Sequence, residues 1–447
     1  MILLPILTAF LVTRSGAIDL DLSSRDSICD AAALIQDGVL DYYEGTRYGG
    51  AVGMFVYPYY WWQAGHAFGA LIDTWYLCGN DTYEQLIHDA LMHQTGEDND
   101  YMPKNQTMTE GNDDQGFWGL TVMAAAERNF TAPQDGPDWL ALTQAVYNTM
   151  WERWDMEHCG GGLRWQIFTW NSGYNYKNTI STACLFNLAG RLARFTRNDT
   201  YVETAQTAYD WLVDIGFIVD SNGMARVYDG ADIAENCTDI VHIEWTYNIG
   251  IMIGGAAYLY NFTEEQYWLD VTAHLVEGAK VFFRDGIMYE RACQDGDNCN
   301  NDQRFFKGVF ARCLGLTALL VPDLYDDIMP LLDTSASAAA QSCVGGIDGH
   351  TCGLNWEYDG WDGYYGLGEQ VSALETIQSH LTPISPAPLT QENEGVAVGD
   401  VNAGLNTTRN ELTYSDMNID SGDVAGAAIV TAVVLLLAVG GAIWMVL

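Results

Sequence analysis

Basic residues are scarce in this chain: 19 Lys and Arg stand against 59 Asp and Glu, a formal net charge of −40. A surface of that sign repels phosphodiesters, which excludes a nucleic-acid partner and favours neutral partners outside the cell. Metal-ligand spacing is lacking too. His66, His93, His242 and His274 fall at no metal-binding interval, and neither a Gly-x-Ser-x-Gly elbow nor a phosphate loop occurs. Asp295, Asp297, Asn298, Asn300 and Asp302 have the outline of a calcium loop. Asn300, however, stands where the obligatory glycine belongs and Phe306 where the bidentate glutamate belongs, so an acidic disulfide loop is the better reading. No metal and no cofactor is expected.

Charge is missing altogether from residues 424–447, and a basic residue is missing ahead of the apolar run at 2–12. The latter run ends in Ser15, Gly16 and Ala17, small residues of the kind signal peptidase accepts, so residues 1–17 read as a secretory signal. A spanning helix ordinarily carries Lys or Arg on its cytoplasmic side; without one, residues 423–447 read as a GPI-attachment signal, with Asp420, Ser421 and Gly422 around the attachment point. A permanent C-terminal anchor helix is the runner-up. Export is consistent with seven glycosylation sequons, at Asn80, Asn105, Asn129, Asn198, Asn236, Asn261 and Asn406. It is also consistent with ten cysteines, expected to be mostly disulfide-bonded; Cys293 with Cys299 and Cys343 with Cys352 have local-bridge spacing, and the sequence leaves the full pairing open.

What remains between the ends is helical and paired. Apolar periodicity predicts helices at 27–43 and 64–77, 82–93 and 115–129, 139–151 and 179–195, 201–215 and 247–260, 265–283 and 304–320, and 326–341 and 368–380. The first of each pair is amphipathic; the second is small and apolar nearly all round, hence buried. Twelve helices in that alternation predict an all-α fold, an (α/α)6 barrel or toroid with an outer and an inner ring, over residues 18–382. Short β pieces are expected at 160–170 and 224–229. Residues 383–422 shift to Pro, Asn, Thr, Gly and acids without periodicity and read as a disordered stalk.

Just before each inner helix lies an aromatic or polar stretch: Tyr59 to Trp62, Asn112 to Asp114, Asn175 to Asn178, Glu244 to Asn248, Arg304 to Lys307, and Trp361 to Tyr365. The barrel topology gathers these on one rim, around one cleft, with helix N-termini aimed into it. Asp113 and Asp114 are the chemical centre. Neighbouring α-carbons about 3.8 Å apart at a helix start let both carboxyls lean into one pocket, and retaining glycosidases need two carboxyls about 5 to 5.5 Å apart. Two acids that close cannot both ionise easily; one keeps a proton to donate, the other stays ionised as nucleophile, and the residues alone leave open which is which. With aromatics at 12%, many beside Asn, Asp and Gly, the rim suits sugars, whose C–H faces pack on rings while hydroxyls need amides. Trp61, Trp62, Trp165, Tyr176, Trp245 and Trp361 are the expected stacking residues, and Asn112, Asn175, Asn178 and Asn248 the hydroxyl partners.

The double Asp before the Trp118 helix, Tyr59 to Trp62, Gly161-Gly162-Leu163-Arg164-Trp165 and Gly173 to Asn178, in that order, resemble glycoside hydrolase family 76. The likeness runs from about Ser27 to His380 and is greatest to the family's fungal GPI-anchored branch. It implies an (α/α)6 fold and retaining action on α-1,6-linked mannose, with Asp113 as nucleophile and Asp114 as general acid/base. It further implies work on the mannose core of a GPI glycan, with transfer onto wall glucan in place of hydrolysis, at the outer face of the plasma membrane and in the cell wall. The rival expectation is a mannan-binding or structural wall protein that keeps the fold without catalysis. Oligomeric state is not legible.

Overall fold

The computed structural model describes residues 18–405 and 421–446; the expected signal at 1–17, the sequon Asn406 and residues 406–420 of the expected stalk lie outside the described residues. Six helix pairs follow one another along the chain: α1 (Arg25–Leu40) and α2 (Trp61–Cys78), α3 (Glu84–His93) and α4 (Asn112–Glu127), α5 (Trp139–Glu152) and α6 (Thr179–Thr196), α7 (Thr200–Asp214) and α8 (Thr246–Thr263), α9 (Gln266–Ala279) and α10 (Phe306–Leu320), α11 (Tyr325–Ser342) and α12 (Leu367–Gln378). The second helices pack in sequence, α2 on α4, α4 on α6, α6 on α8, α8 on α10 and α10 on α12, and α12 closes back on α2. The first helices lie outside them, α5 against α4 and α6, α11 against α10 and α12. This is the expected (α/α)6 barrel.

Burial follows the residue pattern. Outer helix α3 buries only Ile87, Ala90 and Leu91, one stripe, whereas α8 buries every residue from Asn248 to Leu259. The inner ring is tight because small residues let backbones meet: a Cβ at Gly250 would lie 2.9 Å from the Phe310 α-carbon. Short strands edge the rim. β1 (Tyr176–Asn178) pairs with β4 (Gly230–Asp232), which pairs with β5 (Ile240–Val241), while β2 (Ile218–Ser221) and β3 (Met224–Val227) form a hairpin whose second strand is the β piece expected near 224. The stretch 160–170 makes only the isolated bridges Gly111 to Gln166 and Arg164 to Lys177, tying it to the start of α4 and to β1. Disulfides join Cys29–Cys78, Cys159–Cys237, Cys293–Cys299 and Cys343–Cys352, leaving Cys184 and Cys313 free and buried. The acidic stretch inside Cys293–Cys299 holds protein partners: Asp295 pairs with Arg284, and Asp297 accepts from the Tyr364 hydroxyl.

The far end of the barrel, at the inner-helix C-termini, is filled by ion pairs. Polar residues sent in by the inner helices include Asp73, Glu127, Arg191, Tyr258, Arg312 and Glu375. Arg312 Nε lies 2.8 Å from Asp73, Arg191 Nη2 lies 2.6 Å from Glu127, and the Tyr258 hydroxyl donates to Glu127. Arg128 pairs with Asp73 as well.

One expectation is corrected here. Composition predicts a stalk from 383, yet the chain stays on the barrel to residue 405. Pro388 O accepts from Arg194, Leu389 N donates to Glu127 O, Gln391 N to Phe195 O, and Val398 N to the Asp138 carboxylate; Asn148 donates to Val401 O and Ala403 O. Aperiodic residues can be ordered when others supply the hydrogen bonds, and composition does not see that. Two sequons are affected by similar contacts: the Asn129 amide donates to Glu394 O and that of Asn261 to Leu320 O. At the C-terminus, α13 (Ser421–Val446) leaves Val430, Leu436 and Leu437 exposed. Among the described residues, no single helix is long and apolar enough to cross a membrane; the apolar helical run here is Ala428–Leu437.

Candidate active site

Five of the six stretches before inner helices supply side chains to one cleft of about 530 Å³. Asp113 and Asp114 stand in the first turn of α4. Gly111 is the N-cap, its N–H donating to Asp114 Oδ2 at 2.5 Å. The glycine matters for what lies above it. A Cβ at 111 would sit 2.3 Å from Asp113 Oδ1 and 3.1 Å from Asp114 Oδ2, so the two oxygens are separated by no more than the sum of those distances. That bound lies below the about 6.5 to 9.5 Å spacing of an inverting pair and is compatible with a retaining one.

The surroundings divide the two acids. Burial pushes Asp113 up to about 7, opposed by its own and Asp114's backbone N–H at the helix start and by the neighbouring Trp165. Burial pushes Asp114 well above the usual range, and the Asp113 charge pushes the same way, with the Gly111 N–H opposing. The helix-start N–H groups and Trp165 favour the ionised form at Asp113, and the Gly111 N–H alone does so at Asp114. Beside them Glu110 is buried, with neither carboxyl oxygen hydrogen-bonded; burial and Asp114 raise it well above its ordinary value.

Two further acids face the pair, and both are held by aromatic donors. Asp302 accepts from Trp62 Nε1 at 2.9 Å and from Gln63 Nε2 at 3.1 Å; Asp229 accepts from the Tyr176 hydroxyl at 2.7 Å and from Trp245 Nε1 at 3.0 Å. Burial raises both. The aromatic lining includes Phe117, on which Trp62 packs, and Tyr247, stacked on Phe306 with centroids 3.7 Å apart. Among the described residues, no lysine or arginine lines the cleft. Such a site presents hydroxyl acceptors, stacking faces and one proton donor, which is a neutral polyol's requirement.

Of the expected binding residues, Trp61, Trp62, Trp165, Tyr176, Asn178 and Trp245 line this cleft. Asn178 does so while capping α6 through its oxygen, which accepts from Ser181 N. The other four do not. Asn112 is buried, its amide donating to Arg164 O and its oxygen accepting from Arg153; Asn175 accepts from Arg164. Asn248 is fully buried within α8, and Trp361 lies over Gly345, its indole N–H donating to Tyr364 O. An Asn or Trp near a helix start serves the backbone as readily as a ligand. The residues missed are Glu110, Asp229, Asp302, Tyr247 and Phe306. Asp302 stood in the stretch weighed as a calcium loop, and its nearness to the Arg304 to Lys307 stretch was the signal available.

The chain belongs to glycosyl hydrolase family 76, whose sequence profile matches residues 27–392, and so is a glycoside hydrolase. Mannan endo-1,6-alpha-mannosidase DFG5 of Saccharomyces cerevisiae is 61% identical over 432 residues, 96% of this chain and 94% of that protein. Mannan endo-1,6-alpha-mannosidase DCW1 of the same yeast is 53% identical over 439 residues, 98% of this chain and 97% of that one. The crystal structure of Dfg5 from Chaetomium thermophilum in complex with glucosamine matches with a TM-score of 0.83 at 40% identity, covering 86% of this chain and 97% of that one. An inactive variant of the Salegentibacter α-1,6-mannanase GH76A, in complex with α-1,6-mannotriose, shares the fold at 20% identity, TM-score 0.64, over 79% of this chain and 99% of that one.

Proposed function

We propose that this protein is a retaining mannan endo-1,6-α-mannosidase with Asp113 as nucleophile and Asp114 as general acid/base. The observation that carries the reading is the pair of carboxyl oxygens over Gly111, close enough for a double displacement and unequally supplied with donors. Ionised Asp113 attacks the anomeric carbon while Asp114 delivers its proton to the leaving glycosidic oxygen. A covalent glycosyl-enzyme results. The Asp114 carboxylate then takes a proton from the incoming water or sugar hydroxyl, whose oxygen displaces Asp113. Asp229 and Asp302, fixed by indole and phenol donors, accept hydroxyls of the bound mannose. A wall protein without catalysis would have no use for two buried, uncompensated acids, which cost stability.

The substrate is α-1,6-mannan or the mannose core of a GPI glycan, and the acceptor in the cell wall is glucan. In this reading residues 1–17 are removed on export and residues 423–447 on GPI attachment, leaving the enzyme at the outer face of the plasma membrane. Glycans are carried at Asn80, Asn105, Asn198, Asn236 and Asn406, whereas Asn129 and Asn261 keep their amides for the protein. The test is proton NMR of the products from α-1,6-mannan oligosaccharides, with and without a glucan acceptor. The first-formed product is expected to be the α anomer, with mannosyl-glucan when the acceptor is present. A β product overturns the double displacement, and reducing ends alone at every acceptor concentration overturn the transfer.

A further inference from the structure

Behind the cleft, Lys177 is wholly buried in β1. Its ammonium donates to three backbone carbonyls of one loop: Asp155 O at 2.8 Å, His158 O at 2.6 Å and Gly161 O at 2.5 Å. Three N–H groups meet three acceptors, and the Asp155 carboxylate at 3.4 Å supplies the countercharge. The Trp211 ring lies 5.9 Å away, against the same loop, where a Cβ at Gly162 would enter that ring at 2.2 Å. Such convergence suits a compact point charge; a planar guanidinium does not match three acceptors around one point, and a methionine would take the ammonium donor from all three carbonyls.

The loop leads straight to the chemistry. Beyond Gly162 it continues into Arg164 and Trp165. Arg164 O accepts from the Asn112 side chain, Trp165 O accepts from Asn112 N at 2.8 Å, and Trp165 N donates to Tyr176 O. From this perch the Trp165 side chain lines the cleft together with Asp113. One charge thus organises the segment that fixes a cleft wall against the catalytic turn of α4.

We propose that Lys177 is a positioning residue for the glycosidase reaction, an internal cation on which residues 155–165 fold so that Trp165 is held against Asp113. This rests on the reading of Asp113 as nucleophile. Lys177 faces Asp155 and Arg164, with His158 on the far side of Asp155. Asp113 faces Asp114 on its own helix, Asp302 from the loop before α10, Cys184 of α6 and Tyr247 of α8. No basic group stands among these four, so the neighbouring Trp165 is the side chain that favours ionised Asp113.

The experiment compares full-length Lys177→Met, Trp165→Phe and the double variant by pH profiles of kcat/KM on an α-1,6-mannan oligosaccharide. Lys177→Met is expected to lower kcat by about 10²-fold with a smaller change in KM. It should also move the acidic limb to higher pH, because Asp113 loses a neighbour that favours its ionised form. Trp165→Phe, which removes the N–H of that neighbour directly, should move the same limb, and the double variant should move it no further. A Lys177→Met enzyme with an unmoved acidic limb overturns the proposal, whatever its kcat, since a merely structural lysine lowers rate without touching that limb. Should Lys177→Met not accumulate as folded protein, Asp155→Asn decides: the ammonium keeps its three carbonyls and loses only countercharge, so a smaller shift of the same limb supports the proposal and none overturns it. An Asp113→Asn enzyme that retained activity would fault the nucleophile reading instead, and is scored separately.

Discussion

The two ends of this barrel bury acids in opposite company. At the cleft, Glu110, Asp113, Asp114, Asp229 and Asp302 line one cavity with no lysine or arginine among the lining residues. At the far end, Asp73, Glu127 and Glu375 each have an arginine: Arg312 and Arg128, Arg191, and Arg312 again. Burial raises both Asp114 and Glu375, but the next influence differs in sign, a neighbouring carboxylate raising Asp114 and Arg312 lowering Glu375. The same residue type is thereby given two jobs. An acid buried without a cation keeps a proton it can deliver, while an acid buried with one holds helices together.

The comparison breaks first at the cleft. Asp113→Asn and Asp114→Asn, made singly, are expected to lower kcat on α-1,6-mannan oligosaccharides by about 10³-fold or more. Their melting temperatures should match or exceed that of the parent, because each removes a buried acid whose ionisation no lysine or arginine of the cleft lining offsets. A rate within tenfold of the parent for either variant would show that the unpaired acids are not the catalytic ones.

At the far end the expectation reverses. Arg312→Met leaves Asp73 and Glu375 short of a partner and should cost about 3 to 5 kcal/mol in urea denaturation, with kcat of the folded fraction changed little. A variant as stable as the parent would mean the charged plug is ornamental to the fold.

A smaller effect sharpens the same contrast through pH. Asp113, at about 7 in the folded chain against an ordinary 3.8, holds its proton where the unfolded chain has lost it. Its contribution to stability is therefore fully present below about pH 4 and is lost as pH rises through about 7. Melting temperature against pH should fall less steeply across that window in Asp113→Asn than in the parent. Equal slopes would place the folded pKa of Asp113 near its unfolded one.

The ring of helices was legible because its signal is local. Small apolar runs such as Gly250 to Leu259 can only be interior, and alternation with amphipathic runs such as that around Ile87 and Leu91 fixes which ring is which. The candidate pair was legible because both acids lie on one turn. What sequence could not supply was convergence from far apart: Asp302 and Trp62 meet across a separation of 240 residues, and Asp229 becomes a site residue only once Tyr176 and Trp245 are brought to it. Lys177 read as one letter of a motif until three carbonyls closed on its ammonium. The strap from 383 to 405 has no periodicity of its own, because its hydrogen-bond partners belong to α4, α5 and α6.

That strap provides the mildest way to separate the two ends. Asp138 caps α5 by accepting from Ala141 N at 2.8 Å, and the same carboxylate accepts from Val398 N at 2.7 Å and Gly399 N at 3.1 Å. Asp138→Ala removes a helix cap and releases two strap amides to water, which should cost about 1 to 2 kcal/mol. Asp138→Asn keeps one acceptor oxygen and should recover part of that loss. Neither change touches the cleft, so kcat and the pH profile should stay at parental values while the melting temperature falls by a few degrees. Thermal melts beside initial rates check this. A matching fall in kcat would mean that the far end also sets the geometry of the catalytic turn, since α4 runs from that turn to Glu127, whose carbonyl holds Leu389 of the strap. The division of labour between paired and unpaired acids would then have to be read along the helix as well as between its ends.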